Sequence, residues 1–354
     1  MSKFLTEKYK KLKPYTPGEQ PKERQYVKLN TNESPFPPSE NAIRLAREEA
    51  AKLMLYSDPE CRVVGELLAK TYGVDYSNVI LTNGSDEVLN FAFMAYCDEK
   101  TPAIFADITY GFYKVFADVN NLPYREIPLT EDFKINTEDY INAKGTVFIA
   151  NPNAPTGIAL PISEIEKIIK SDENRIVVID EAYVDFGAES CIPLIKKYDN
   201  LIVTGTFSKS RSMAGARLGF GIASASLIED LTKIRYSTNP YNVNRMSAAA
   251  GVGALMDKEY FESNCKKIIE NRTFTEEALA SLGFEFTKSS ANFVFAKHSK
   301  LSGEKLYLSL KEKGVLVRHF TAPRIAEYNR ITIGSREEMQ ILVDKIKEIL
   351  EENL

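Results

Sequence analysis

The sequence predicts an α/β protein: a large domain on a mostly parallel, helix-flanked sheet, followed by a smaller α+β domain at the C-terminal end. Three observations lead there. The chain has 354 residues, more than one small core requires and enough for a large domain plus a smaller one. From residue 79 to residue 223, short apolar runs alternate with helical patterns, as strands buried on both faces do in parallel sheets. After about Ser247 that alternation gives way to a long helix and a different mixture of strands and helices.

The elements follow in order. Val79–Leu81 reads as a strand before a helix over Asp86–Tyr96, and Ala103–Phe105 as a strand before a helix over Phe112–Val119. Thr146–Ala150 is a strand ending at a turn rich in Pro, Asn and Gly, and Ser163–Lys170 is a helix with Ile165, Ile168 and Ile169 on one face. Arg175–Ile179, Leu201–Thr204 and Gly219–Ala223 are further compact strands. The C-terminal part reads as a helix over Lys258–Leu282, a strand at Asn292–Ala296 and a helix over Gly303–Lys313. Strands at Val315–Arg318 and Arg330–Ile333 precede a last helix over Arg336–Leu350. Ser335 caps that helix, with Glu338 at capping-box spacing. Pro14, Pro17 and Pro21 mark an N-terminal arm. The expected division is an arm over residues 1–29, a large domain over 30–246 and a small domain over 247–354.

Composition narrows the function classes. The net charge of −4 and scattered Lys and Arg argue against a nucleic-acid footprint. No run of about 18 apolar residues suggests a membrane span, and the charged N-terminus lacks a signal-peptide core. The four cysteines form no C-x-x-C pair and there are only two histidines, so no metal site is expected. Free thiols suit a cytoplasmic protein, and the scarcity of histidine disfavours a Ser-His-Asp mechanism.

The residues that carry chemistry cluster at predicted strand ends. Thr206-Phe207-Ser208-Lys209-Ser210, followed by Arg217, places a lysine where open α/β sheets bind ligands. An imine-forming amine must lose its proton, which burial or a nearby cation promotes. Ser208 and the bidentate guanidinium of Arg217 suit a phosphate. Asp180 ends a buried apolar run and needs a cationic partner, which a protonated ring nitrogen would supply; Tyr183 follows three residues on. Gly84, Ser85 and Asp86 open a helix after a strand, an anion site made of backbone N–H groups. Asn153 lies in the Asn151–Gly157 turn, and Tyr110 is placed to stack on a flat ring. Arg318 and Arg330 suit carboxylate or phosphate. Each segment alone has a purely structural reading as well; it is their conjunction that points to one site.

Taken together these segments resemble the fold-type I pyridoxal-phosphate aminotransferases over about Leu12 to Leu350, and most of all the histidinol-phosphate aminotransferases. The resemblance is carried by Lys13-Pro14-Tyr15, the Leu29–Pro35 segment, Leu55–Pro59, Asn83–Glu87, Pro240–Asn244 and Arg330–Glu338. It implies Lys209 as the cofactor-bearing lysine and proton shuttle, Asp180 on the pyridine nitrogen, Tyr183 facing the 3'-oxygen and Tyr110 on the ring. It implies phosphate held at Ser85, Asp86, Ser208 and Arg217. Asn32 and Arg330 would contact substrate, aided by Arg318, Tyr15 and Tyr241, while Tyr56 would reach into the site of the other subunit of a homodimer. The chain departs from the family at Ala154, where an asparagine usually meets the 3'-oxygen; Asn153 is the nearest stand-in. The implied reaction is amino transfer from L-histidinol phosphate to 2-oxoglutarate. Two other small-molecule activities remain open: an aromatic or broad-range aminotransferase and a threonine-phosphate decarboxylase.

Overall fold

The computed structural model describes residues 2–21 and 23–353. Its large sheet has seven strands: β2 (Val79–Thr82), β3 (Ala103–Ala106), β4 (Tyr124–Ile127), β5 (Thr146–Ala150), β6 (Val177–Asp180), β7 (Leu201–Thr206) and β8 (Gly219–Ala223). Their order is β2-β8-β7-β6-β5-β3-β4. All neighbours pair in parallel except β8, which runs antiparallel to both β7 and β2. β5, β6 and β8 are buried at every position, which explains the unbroken apolar runs.

Helices α4 (Ser85–Tyr96), α5 (Phe112–Asn120), α7 (Ile162–Lys170) and α8 (Ala225–Thr238) flank this sheet, with the short α6 (Thr137–Ile141) beside α7. The two faces carry separate cores, one around Leu68, Val177, Val203 and Ile165, the other around Val88, Phe93, Phe148 and Val178. Alternate residues of one strand feed opposite cores, as the pleat requires. Helices α2 (Glu40–Ala50), α3 (Arg62–Tyr72) and α9 (Arg245–Met256) pack together on the first core, to which they contribute Ala42, Leu68, Ala250 and Ala254. A division at 246/247 therefore falls inside a helix of the large lobe.

The smaller lobe holds the antiparallel sheet β12-β13-β10-β9, made of β9 (Phe284–Phe286), β10 (Phe293–His298), β12 (Arg318–His319) and β13 (Asn329–Thr332). Helices α10 (Lys258–Ser281), α11 (Gly303–Glu312) and α12 (Arg336–Asn353) cover it. The expected strand over 315–318 is two strands: β11 (Val315–Leu316) pairs in parallel with β1 (Val27–Lys28), and β12 pairs with β13. The chain changes partner at Val317, so no single ladder spans the run. Through β1 and the buried Leu29, the end of the expected arm joins the smaller lobe, so the arm stops before residue 27 and not at residue 29. Before β1 the described residues of the arm form one element, the single-turn helix α1 (Glu7–Lys10). The cap on α12 forms as expected: Ser335 N–H donates to Glu338 Oε2 at 2.7 Å and Glu338 N–H to Ser335 Oγ at 3.2 Å.

Candidate active site

The carboxyl ends of β2, β3, β5, β6 and β7 lie along one edge of the large sheet, and the antiparallel β8 begins there. Asp86, Tyr110, Asp180, Ser208, Lys209 and Arg217 leave these ends and line one cavity of ≈ 410 Å³. A second cavity of ≈ 480 Å³ adjoins it, lined by Tyr15, Asn32, Arg318 and Arg330 and sharing Tyr110, Tyr183 and Lys209 with the first.

Each position has a local cause. Phe207 is fully buried and its backbone bonds Leu218 and Met213, which fixes the turn after β7. Ser208 and Lys209 then project toward the cavity, where Lys209 Nζ donates to the Thr31 carbonyl at 3.3 Å and lies 5.8 Å from the Tyr183 ring centroid. Asp180 ends β6 beside Thr204 of β7, its register partner. The Thr204 hydroxyl donates to Asp180 Oδ1 at 3.1 Å and the Tyr113 hydroxyl to Oδ2 at 3.3 Å. Burial pushes the Asp180 carboxyl up to about 6; these two hydrogen bonds pull the other way, while Asp86 adds to the rise. A buried carboxylate with only neutral donors is suited to a cationic ring nitrogen.

The anion cradle is at the start of α4, where the first N–H groups lack intrahelical acceptors. Gly84 caps it with φ +79°, and a Cβ there would stand 2.6 Å from Arg217 Nη2. A Cβ on Gly219 would stand 2.2 Å from the Ser85 nitrogen, so β8 can press against the helix start only as glycine. Arg217 pairs with Asp86 at 3.1 Å and reaches Ser208 Oγ at 3.5 Å; the Tyr110 hydroxyl donates to Asp86 at 2.7 Å. Burial and Asp86 together push the Tyr110 phenol up.

In the adjoining cavity Arg330 Nη2 donates to the Asn30 carbonyl at 3.1 Å, while its Nε is buried with no partner among the described residues. Burial lowers its pKa. A part-buried guanidinium with a donor to spare is suited to a carboxylate or phosphate. Arg318 holds the arm instead, donating to the carbonyls of Thr16 and Pro17 at 3.2 and 3.3 Å. Tyr15 packs on Phe112 with ring centroids 4.5 Å apart.

Two expected site residues sit elsewhere. Asn153 turns away from the cavity: its Nδ2 donates to the Ile108 carbonyl and Thr156 Oγ1, and its Oδ1 accepts from Thr109. Ala154 lines the wall in its place, so Asn153 is not the stand-in. Tyr241 is not on this chain's cavity either; it follows α8 on the surface, stacked on the exposed Tyr56 at 4.5 Å. Thr204, Tyr113 and the Thr31 carbonyl escaped the sequence reading, because only strand register and lobe docking bring them in.

The residues present fit a phosphorylated, cationic, aldehyde-bearing ring: an anion cradle, a buried carboxylate and a reachable amine share one cavity. A model of the aminotransferase class I and II family matches residues 24–346, so the chain belongs to that family of enzymes. Among its members the chain is 47% identical, over 99% of both chains, to the histidinol-phosphate aminotransferase of Brachyspira hyodysenteriae. It is 45% identical to that of Clostridium acetobutylicum, over 99% of this chain and all of the relative. It stands among the histidinol-phosphate aminotransferases. The histidinol-phosphate aminotransferase of Sinorhizobium meliloti, solved with pyridoxal-5'-phosphate, shares the fold with a TM-score of 0.86 at 24% identity, over 93% of this chain and 92% of that one.

Proposed function

We propose that this chain is a pyridoxal-phosphate-dependent transaminase that moves an amino group from L-histidinol phosphate to 2-oxoglutarate, giving imidazole acetol phosphate and glutamate. The observation that carries this reading is the shared cavity of Lys209 and Asp180, opening onto Arg330, whose Nε has no partner among the described residues. When bound, pyridoxal phosphate supplies an electron sink for charge developing on the substrate α-carbon. The chain's residues do the rest. Asp180, oriented by Thr204 and Tyr113, holds a proton on the ring nitrogen. Ser208, Arg217 and the first turn of α4 hold the phosphate, and Tyr110 covers the ring face. Lys209 takes the α-proton and returns it, acting as acid and base from one position. Arg330 fixes the carboxylate of the 2-oxo acid and the phosphate of the donor in turn, with Arg318, Tyr15 and Asn32 around it. The enzyme works in the cytoplasm as a homodimer, in which Tyr56 and Tyr241 of one copy face the site of the other.

A half-reaction screen tests this. L-Histidinol phosphate alone bleaches the visible band of the holoenzyme, and 2-oxoglutarate restores it. Bleaching by phenylalanine or tyrosine but not by L-histidinol phosphate reassigns the donor; carbon dioxide released from threonine phosphate makes the enzyme a decarboxylase. A Lys209→Ala protein that keeps the parent's band removes Lys209 from its role.

A further inference from the structure

We propose that Thr332 is a positioning residue that sets the Tyr183 hydroxyl as a hydrogen-bond donor into the cofactor cavity, acting through the side chain of Asn32. The inference rests on the functional reading above. Asn32 is buried and adopts φ +56°, a kink that brings its own N–H onto Thr332 Oγ1 at 2.9 Å. Having accepted there, the Thr332 hydroxyl donates its single proton to Asn32 Oδ1 at 3.1 Å. That fixes which end of the carboxamide faces Tyr183: Nδ2 donates to the phenol oxygen at 2.9 Å. Asn292 Nδ2 holds the Asn32 carbonyl at 3.1 Å, so the kink itself is pinned.

The Tyr183 oxygen therefore accepts a hydrogen bond from Asn32, and its own O–H must point elsewhere. Its ring is held edge-on against Phe293 at 5.1 Å, and it lines both cavities. On this wall Ala154 carries no polar group and Asn153 is committed elsewhere. The phenol is then the proton donor left for an anionic ring oxygen beside it. The charged groups around it are Lys209 over its ring, Asp180 at the end of β6, and Arg330, two residues before Thr332 on β13. Residues i and i+2 of a strand share a face, so one strand of the smaller lobe carries both the substrate arginine and the start of this relay. Docking of that lobe thereby orients a hydroxyl in the large lobe.

The test uses holoenzymes of the parent, Thr332→Val and Thr332→Ser, and reads the pH midpoint of the cofactor's visible absorbance change. Losing the oriented donor leaves more negative charge on the ring oxygen, which holds the neighbouring proton on the lysine nitrogen more tightly. The midpoint then rises by about one unit in Thr332→Val, while Thr332→Ser matches the parent. In Tyr183→Phe the midpoint is also raised, and adding Thr332→Val to it produces no further rise. If Val disturbs folding, Thr332→Ala removes the same hydroxyl with a smaller group. An unshifted midpoint in folded Thr332→Val or Thr332→Ala overturns the relay, as does a Ser variant shifted as far as Val. A parent holoenzyme without any Lys209-dependent band overturns the functional reading first, and the relay with it.

Discussion

The two halves of the ligand cavity are built in different ways. The proposed cofactor half comes from one sheet: Asp180, Ser208, Lys209 and Arg217 leave strand ends whose spacing is set by the ladder β8-β7-β6-β5. The adjoining cavity, the proposed substrate half, is assembled from three distant segments: Tyr15 on the arm, Asn32 on the kink after β1, and Arg318 and Arg330 on the smaller lobe. The first half depends on backbone hydrogen bonds within one layer, the second on how a lobe and an arm dock. Chemistry should accordingly be lost through the first half, while substrate choice and affinity are adjusted through the second.

The largest effect is expected at Lys209. Lys209→Ala should lower the rate of the half-reaction by roughly 10⁴-fold, since it removes the acid–base group altogether. A loss below about tenfold, measured by stopped-flow absorbance, would break the assignment of the chemistry to the sheet half.

Arg330→Leu comes next. It should cut kcat/KM for 2-oxoglutarate by about 10²-fold, the loss of a desolvated, charge-assisted pair, while the half-reaction band remains. Because its buried Nε has no partner among the described residues, the Arg330→Leu apoprotein should melt no lower than the parent. A melting point several degrees lower, with unchanged kinetics, would make Arg330 structural.

Asp180 allows a test by pH in the apoprotein. Its carboxyl is raised from 3.8 to about 6 by burial, so the folded state prefers the protonated form. The contribution to stability is complete below about pH 4 and is lost as pH rises through about 6. The rise of about 2 units corresponds to about 3 kcal/mol. Glu181 is raised by burial to about 7 and titrates nearby, so the comparison is with Asp180→Asn, which keeps Glu181. From pH 4 to pH 6.5 the apo parent should lose more stability than apo Asp180→Asn. Parallel stability curves in urea titrations at several pH values would show that the carboxylate costs the sheet nothing.

The smallest effect belongs to the arm. Arg318→Gln removes donors to two exposed backbone carbonyls and should change stability by less than about 1 kcal/mol. It should nonetheless raise KM for L-histidinol phosphate several-fold, because the arm bearing Tyr15 is released from the cavity mouth. A KM shift for the amino donor with none for cofactor binding would sharpen the contrast between the two halves.

Much of this was legible in the sequence because it is local. Asp180 and Lys209 each follow an apolar run by a fixed number of residues, and a run of that length can only be a buried strand in this alternating pattern. The start of α4 and the cap on α12 are likewise short-range matters of backbone donors and acceptors. What failed to show was any property requiring two segments at once. The sequence contains Thr204 and Tyr113, but only the β6–β7 register and the packing of α5 bring them onto Asp180. The side chain of Asn153 was free to face either way until Ile108, Thr109 and Thr156 claimed it.

On its own, then, the sequence determined the layered α/β plan, many of the strands and helices from residue 79 onward, and that Lys209, Asp180 and the Gly84–Asp86 turn fall at strand ends, because side-chain period and turn chemistry act over a few residues. Tertiary structure alone decided which strands lie side by side, that the run over 315–318 splits between two sheets, and that a threonine on β13 reaches a tyrosine after β6 through Asn32. Those outcomes are fixed by hydrogen bonds and burial between segments as many as 300 residues apart, where no local pattern carries the information.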